Sequence, residues 1–142
     1  MIEIKRFASF LDELKTDVQG LEDYHLVAVD THAVNRLKSK TGVQLVAVIP
    51  NAQRSGRVGA SEDMNSSIFF VIEKANPSAA RTAEIDQYDK TQQIIIEIRS
   101  IIEEAAEEGC WPFWRLEPGS ITIDPEYNIF GGWNGWSMQF TF

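Results

Sequence analysis

The stretch TAEIDQYDKTQQIIIEIRSIIEEAAEEG, from Thr82 to Gly109, decides the fold of this chain. It has no proline, and no glycine before its last residue, and its apolar residues recur at spacings of three and four. This pattern predicts one long amphipathic helix, roughly 40 Å in length at a rise of 1.5 Å per residue. Thr82 is a suitable N-cap residue, and Gly109 is suitable for the left-handed turn that ends many helices.

The apolar sector of this helix is wider than the single stripe that packing on one sheet requires. Ile94 and Ile101 lie on a second line beside the main one, so either neighbouring loops cover them or they contact a partner. The last turns carry four glutamates, Glu103, Glu104, Glu107 and Glu108. Acidic residues there oppose the helix dipole and repel one another. A solvated face is the ordinary interpretation of these glutamates, and contact with a basic partner surface is the alternative.

The part of the chain before the long helix predicts a shorter helix and three strands. Apolar residues recur at helical spacing from Ile2 to Val18, which indicates an amphipathic N-terminal helix. Short apolar runs predict the strands, at His25 to Asp30, Val43 to Ile49 and Ile68 to Lys74. The polar segment from Thr31 to Gly42 could be a loop or hold a short helical turn.

Beyond the long helix, at least two more strands are predicted. Pro125 has no backbone N–H, so the strand that begins at Ser120 must lie at an edge or carry a bulge. The final segment GWSMQFTF, from Gly135 to Phe142, alternates as a strand with one buried face does, and Phe142 is itself a core candidate. These elements predict a single α+β domain over residues 1–142. We expect an antiparallel sheet of about four to six strands, packed against the long helix and the shorter N-terminal helix.

Residues 51–67 (NAQRSGRVGASEDMNSS) are the most polar and loop-like part of the chain. A long loop in a small domain is commonly functional or mobile, so this segment is expected to be mobile or to form an interface. It contains Arg54 and Arg57, which are candidate contact residues. The glycines around Arg57 lack the spacing of a phosphate-binding loop, and no nucleotide site is expected there.

The charge and the small numbers of cysteine and histidine argue against several classes of function. The chain has 21 acidic and 13 basic residues and a formal charge of −8, which argues against direct nucleic-acid binding. Its single cysteine excludes an intrachain disulfide, and its two histidines make a Cys/His zinc site untenable. We expect neither a metal site nor a cofactor. No signal peptide and no membrane-spanning segment are predicted, which fits assembly in the cytoplasm.

No catalytic residue is predicted. Asp30 and His32 are two positions apart and could form an acid–base pair, but no serine or cysteine in a recognisable nucleophile turn accompanies them. A hydrogen-bonded pair in a loop is the favoured interpretation. We therefore expect a protein that is not an enzyme, with a small enzyme built around these two residues as the remote alternative.

The second half of the chain resembles a known family. The segments EIDQYDKTQQIIIEI (84–98) and SITIDPEYNIFGGWNGWSMQFTF (120–142) are similar to the neck and tail-completion proteins of tailed bacteriophages, including tail-terminator-like proteins. In that family a strand that ends at a proline, here Ile121 to Pro125, precedes a glycine-containing turn. A terminal strand of the type G-W-x-x-x-F-x-F then closes the sheet, here Gly135 to Phe142.

The resemblance implies a virion structural protein, assembled in the host cytoplasm. Members form rings, commonly hexamers or dodecamers, at the neck or tail terminus beside other phage neck or tail proteins, and DNA passes through only as cargo. A ring needs two different contact patches on each subunit, and the long helix and residues 51–67 are the candidates. The alternative from a different class is a small acidic binding or immunity-type adaptor protein that captures a basic partner.

Overall fold

A computed structural model describes every residue from Met1 to Phe142. It contains three α-helices and a sheet of six strands, so the α+β class is confirmed. In chain order the elements are α1 (Ile4–Asp17), β1 (Leu21–Val27), α2 (Asp30–Leu37), β2 (Val43–Val48), β3 (Asn51–Arg57), β4 (Ala60–Lys74), α3 (Arg81–Glu107), β5 (Thr122–Ile129) and β6 (Trp133–Thr141). A short 3₁₀ turn, Pro118–Ser120, precedes β5.

The strand order is β1-β2-β4-β6-β5, and β3 pairs with the outer half of β4. All pairs are antiparallel except β1 with β2, which is parallel. The sheet is therefore mixed, whereas the sequence predicted an antiparallel one. The reason is α2, which fills part of the polar segment between the first two strands and carries the chain back to the starting edge, as a parallel connection requires.

The main core lies between one face of the sheet and the helices α1 and α3. Its largest fully buried side chains include six phenylalanine and isoleucine residues from both layers, Phe7, Phe69, Phe140, Phe142, Ile95 and Ile98. The predicted alternation of β6 is confirmed for Met138, Phe140 and Phe142, while Trp136 is half-buried. The last residue is anchored by its backbone as well, because Phe142 and Asn65 exchange two N–H···O bonds of 2.7 and 2.8 Å.

A smaller core lies on the opposite face, where α2 covers β1 and β2. Its buried members are Val27, Ala33, Leu37, Val46, Ile72 and Trp133. The helix α2 has only 8 residues and leaves the part of this face near β5 without a covering helix. This uneven cover creates the groove described below.

The long helix begins and ends close to the predicted positions. It starts at Arg81, after an N-cap residue, Ala80, that makes no side-chain capping bond, so the prediction of Thr82 as the cap is wrong. Gly109 does adopt the left-handed conformation, with φ of +68°, as predicted for the residue beyond the helix end. Pro125 lies in β5 at the sheet edge, next to a shift in register after Glu126, so the predicted edge position and irregularity are both confirmed.

One exposed ion-pair network ties the first elements together. The Asp23 carboxylate on β1 accepts hydrogen bonds from Lys15 at 3.0 Å and from Lys40 at 3.2 Å. Burial raises the pKa of Asp23, but these two hydrogen bonds and a third from the backbone N–H of Tyr24 outweigh it and lower the pKa to about 2. The charged carboxylate therefore stabilises the contact between α1, β1 and the loop before β2.

Candidate functional site

Residues 51–67 form a β-hairpin and the start of a core strand, which corrects the prediction of a long loop. Asn51–Arg57 pairs residue for residue with the stretch of β4 up to Ser66, around a two-residue turn at Val58 and Gly59. Every residue of β3 is exposed, so no apolar alternation in the sequence marks this strand. We call residues 51–65 the arm.

The arm extends from the body of the domain, and two ion pairs join its middle to that body. The N-terminal amine of Met1 pairs with Asp63, and Arg115 pairs with Glu62 at 3.3 Å. Beyond these contacts the hairpin continues to Val58, whose side chain is fully exposed at the tip. An isolated two-stranded hairpin is only marginally stable in water, so the outer arm would gain stability from contact with another surface.

The arm carries two arginines, Arg54 in its middle and Arg57 beside the turn at its tip. Arg54 lies opposite Asp63, and its Nε donates a hydrogen bond of 2.8 Å to Ser61 Oγ. Arg57 is adjacent to the turn and makes no ion pair. The N-terminal amine of Met1 donates a hydrogen bond to Asp63, and this bond and the positive charge of the amine lower the pKa of that carboxyl.

Gly56 is required by the geometry of the arm. Its φ is +106°, which few side chains tolerate, and a Cβ there would approach the carbonyl oxygen of Ala60 to 2.5 Å. The glycines around Arg57 therefore shape a hairpin tip.

The acidic end of α3 lies where the sequence placed it. Glu104, Glu107 and Glu108 are exposed, and the last turn contains no basic residue. Glu103 is partly covered and lies 3.7 Å from the Arg99 Nε. These side chains form a negatively charged surface, as either interpretation of the sequence requires.

One of the two predicted apolar contact residues on α3 belongs to the interior instead. Ile94 is only 4% exposed and packs in the main core, with its Cδ1 close to Gly20. Ile101 is half-buried against the same core. The wide apolar sector of α3 is thus covered by its own chain, and Ile94 is not available to a partner. The residues of this helix that do expose apolar surface are Ile85 and Ile96.

A groove that was not predicted from the sequence lies on the second face of the sheet. It lies between α2 and the turn that joins β5 to β6, and has a volume of about 500 Å³. Its lining is Asp30, Val34, Phe70, Glu126, Ile129, Phe130 and Gly131. The rings of Phe70 and Phe130 meet edge to face, with centroids 5.0 Å apart. The groove therefore has an apolar floor and an acidic rim.

A signal for this groove was present in the sequence. The strand segment IFFVIEK is apolar at consecutive positions, so Phe69 and Phe70 point to opposite faces of the sheet. A strand that is apolar on both faces needs cover on both faces. The chain has only one short helix for the second face, and part of that face must stay accessible.

Neither histidine forms a catalytic arrangement. His32 accepts a hydrogen bond of 3.2 Å from Arg36 Nε and makes none with Asp30, so the acid–base pair considered from the sequence is not formed. His25 is buried and hydrogen-bonded to Gln44 at 2.9 Å. No group of three or more His, Cys, Asp or Glu side chains has the arrangement of a metal site. No helix has the length and apolar composition needed to cross a membrane.

A scan of the chain against protein-family models finds no match, and a search of curated proteins finds none either. Three surface features of the molecule are candidates for a functional contact: the arm, the acidic end of α3 and the groove.

Proposed function

We propose that this chain is a virion structural protein of a tailed phage that assembles into a ring at the neck or tail terminus and has no enzymatic activity. The observation that carries the proposal is the arm. Its outer part is a polar hairpin with a fully exposed valine at its tip and no covering contact from its own chain. A neighbouring subunit would supply the missing contact.

The position of the arm suits a ring better than a symmetric dimer. A ring is built from heterologous contacts, in which one patch of each subunit meets a different patch of the next. The arm is a projecting element, and the groove is a concave one on another part of the same chain. The similarity of residues 84–142 to neck and tail-completion proteins supports the same assembly, a hexamer or dodecamer beside other phage neck or tail proteins.

The charge of the chain fits this proposal. The formal charge of −8 would repel DNA from the wall of a channel, so DNA could pass through as cargo without being held. The exposed glutamates at the end of α3 would contribute to such a wall.

The proposal is tested with purified protein by light scattering and negative-stain electron microscopy over a wide concentration range. Rings of one size are expected. A matched variant shortens the arm by replacing residues 53–64 with an Asn-Gly turn, which suits a two-residue hairpin, and it should stay folded and monomeric. A full-length protein that remains monomeric at every concentration, and is absent from virions, contradicts the proposal.

A second function, a small acidic adaptor that captures a basic protein, is favoured by the acidic end of α3. Three exposed glutamates there have no basic residue in the same turn to balance them. Capture should weaken steeply as salt is raised, because exposed charges are screened. The double variant Glu104→Lys, Glu107→Lys separates the two functions, since it should abolish capture and leave the arm intact.

A further inference from the structure

We propose that the arm tip of one subunit docks in the groove of the next subunit, with Val58 on the apolar floor and Arg57 facing the acidic rim. This inference depends on the proposed ring assembly and names its contact. The occupant of the groove is then a second copy of this chain.

The arm tip has the composition of a docking element. Val58 occupies one of the two turn positions, where glycine, asparagine and other small polar residues are usual and a β-branched side chain is not. Its side chain is fully exposed, so nothing within the chain explains an apolar residue there. Arg57 precedes it and has no ion-pair partner. The tip therefore presents one apolar side chain beside a free positive charge.

The groove offers the complementary surface. Its floor is made by Val34, Phe70 and Phe130, which are all only partly covered. Asp30 on its rim is exposed and forms no salt bridge. Glu126 accepts a hydrogen bond of 2.6 Å from Ser137 through Oε1, which leaves its other oxygen free for a guanidinium group.

The tip cannot reach the groove of its own chain. β4 continues as one strand from Ala60, beside the tip, to Phe70 in the groove and on to Lys74. Ten residues separate Ala60 from Phe70, which is roughly 33 Å at the rise of an extended strand. Folding the arm back at its base would break the two backbone bonds between Asn65 and Phe142 and the adjacent pairing of Ser66 with Thr141. The contact must therefore join two copies, and because it uses two different patches it can continue around a ring.

The acidic end of α3 is the competing site for the arm. It offers negative charge to Arg54 and Arg57, but the shallow surface beside it is lined mainly by glutamate, alanine and proline, with Leu116 its one large apolar side chain. That surface offers negative charge to the arginines but no apolar floor for Val58. The groove offers an acidic rim for Arg57 and an apolar floor for Val58.

Disulfide mapping distinguishes the two sites. In a Cys110→Ser background, which removes the one exposed thiol, Val58→Cys protein is mixed with Val34→Cys or with Glu104→Cys protein and oxidised. Covalent heterodimers should form about tenfold faster with the Val34→Cys partner, because only that pair is held in contact. Faster coupling to Glu104→Cys, or equal coupling to both, would overturn the inference.

Light scattering on the unmodified protein shows whether a negative coupling result overturns only the docking site or also the proposed ring. If rings form and Val58→Cys does not couple to Val34→Cys, the docking site is wrong and the proposed function stands. If the protein is monomeric throughout, both are wrong.

Charge exchange gives an independent measurement. Arg57→Glu and Asp30→Lys should each weaken assembly about tenfold, and the two together should restore most of it, as expected for charges in direct contact. Val58→Ser should weaken assembly, whereas Ile85→Ser, the matched control at an exposed apolar position on α3, should leave assembly unchanged. Additive losses in the double charge variant, with folding intact by urea titration, would show that Arg57 and Asp30 do not meet.

Discussion

Replacement of the last residue, Phe142→Ala, tests how the fold holds the base of the arm. The side chain of Phe142 is 1% exposed and packs against three other phenylalanines. Its ring centroid is 5.1 Å from that of Phe113, 5.4 Å from that of Phe140 and 6.3 Å from that of Phe7. Truncation of a buried phenylalanine to alanine removes its transfer free energy and leaves a cavity, and together these cost about 3–5 kcal/mol.

The free energy of unfolding, measured by urea titration, is the quantity to compare. Phe142→Leu keeps most of the volume and should cost less than about 1.5 kcal/mol, so it is the matched control. Both variants retain the two backbone bonds to Asn65, and any difference between them therefore reports packing alone. A Phe142→Ala protein destabilised by less than about 1 kcal/mol would refute the placement of this residue in the core.

Three other substitutions probe separate parts of the structure. Gly135→Ala should destabilise the fold by about 3 kcal/mol in urea titration, because a Cβ would collide with the carbonyl oxygen of Val71 on the neighbouring strand; no change would contradict that approach. Gly56→Val should disrupt the arm tip and weaken assembly by light scattering, while the free energy of unfolding changes by less than about 1 kcal/mol; a large loss of stability would show that the arm is part of the core. Asp23→Asn should lower the free energy of unfolding by about 1 kcal/mol at neutral pH. This is less than the lowered pKa of Asp23 alone would imply, because the carboxylate is 30% exposed and solvent screens its ion pairs. Since the folded-state pKa of Asp23 lies below the unfolded value, this contribution is present above about pH 4 and is lost as the pH falls towards 2, so equal destabilisation at both ends of that range would exclude the ion pairs as its source.

Elements that bury one apolar face were predictable from the sequence. The spacing of isoleucines gave α3 to within two residues at each end, and the alternation from Trp136 to Phe142 gave β6, because burial leaves a periodic trace in both. Pro125 marked an edge strand because proline cannot complete a central ladder.

What the sequence could not predict depends on tertiary position. Residues 51–57 are fully exposed, so no burial pattern distinguishes this strand from a loop. The parallel pairing of β1 with β2 follows from the short helix between them, whose sequence has few apolar residues. Ile94 has the same local signature whether a partner or the chain itself covers it, and only the packing around Gly20 decides.

The arm lies outside the core, so its contribution to the stability of the subunit should be small. The core lies between the sheet and its helices, and the exposed residues of β3 contribute almost nothing to it. Substitutions at Val58 and Arg57 should therefore change assembly without changing the stability of the subunit, whereas substitutions at Phe142 should change stability first. If the hairpin is dispensable for folding, as these substitutions test, its exposed tip is available for the docking in the groove of a second subunit that is proposed above.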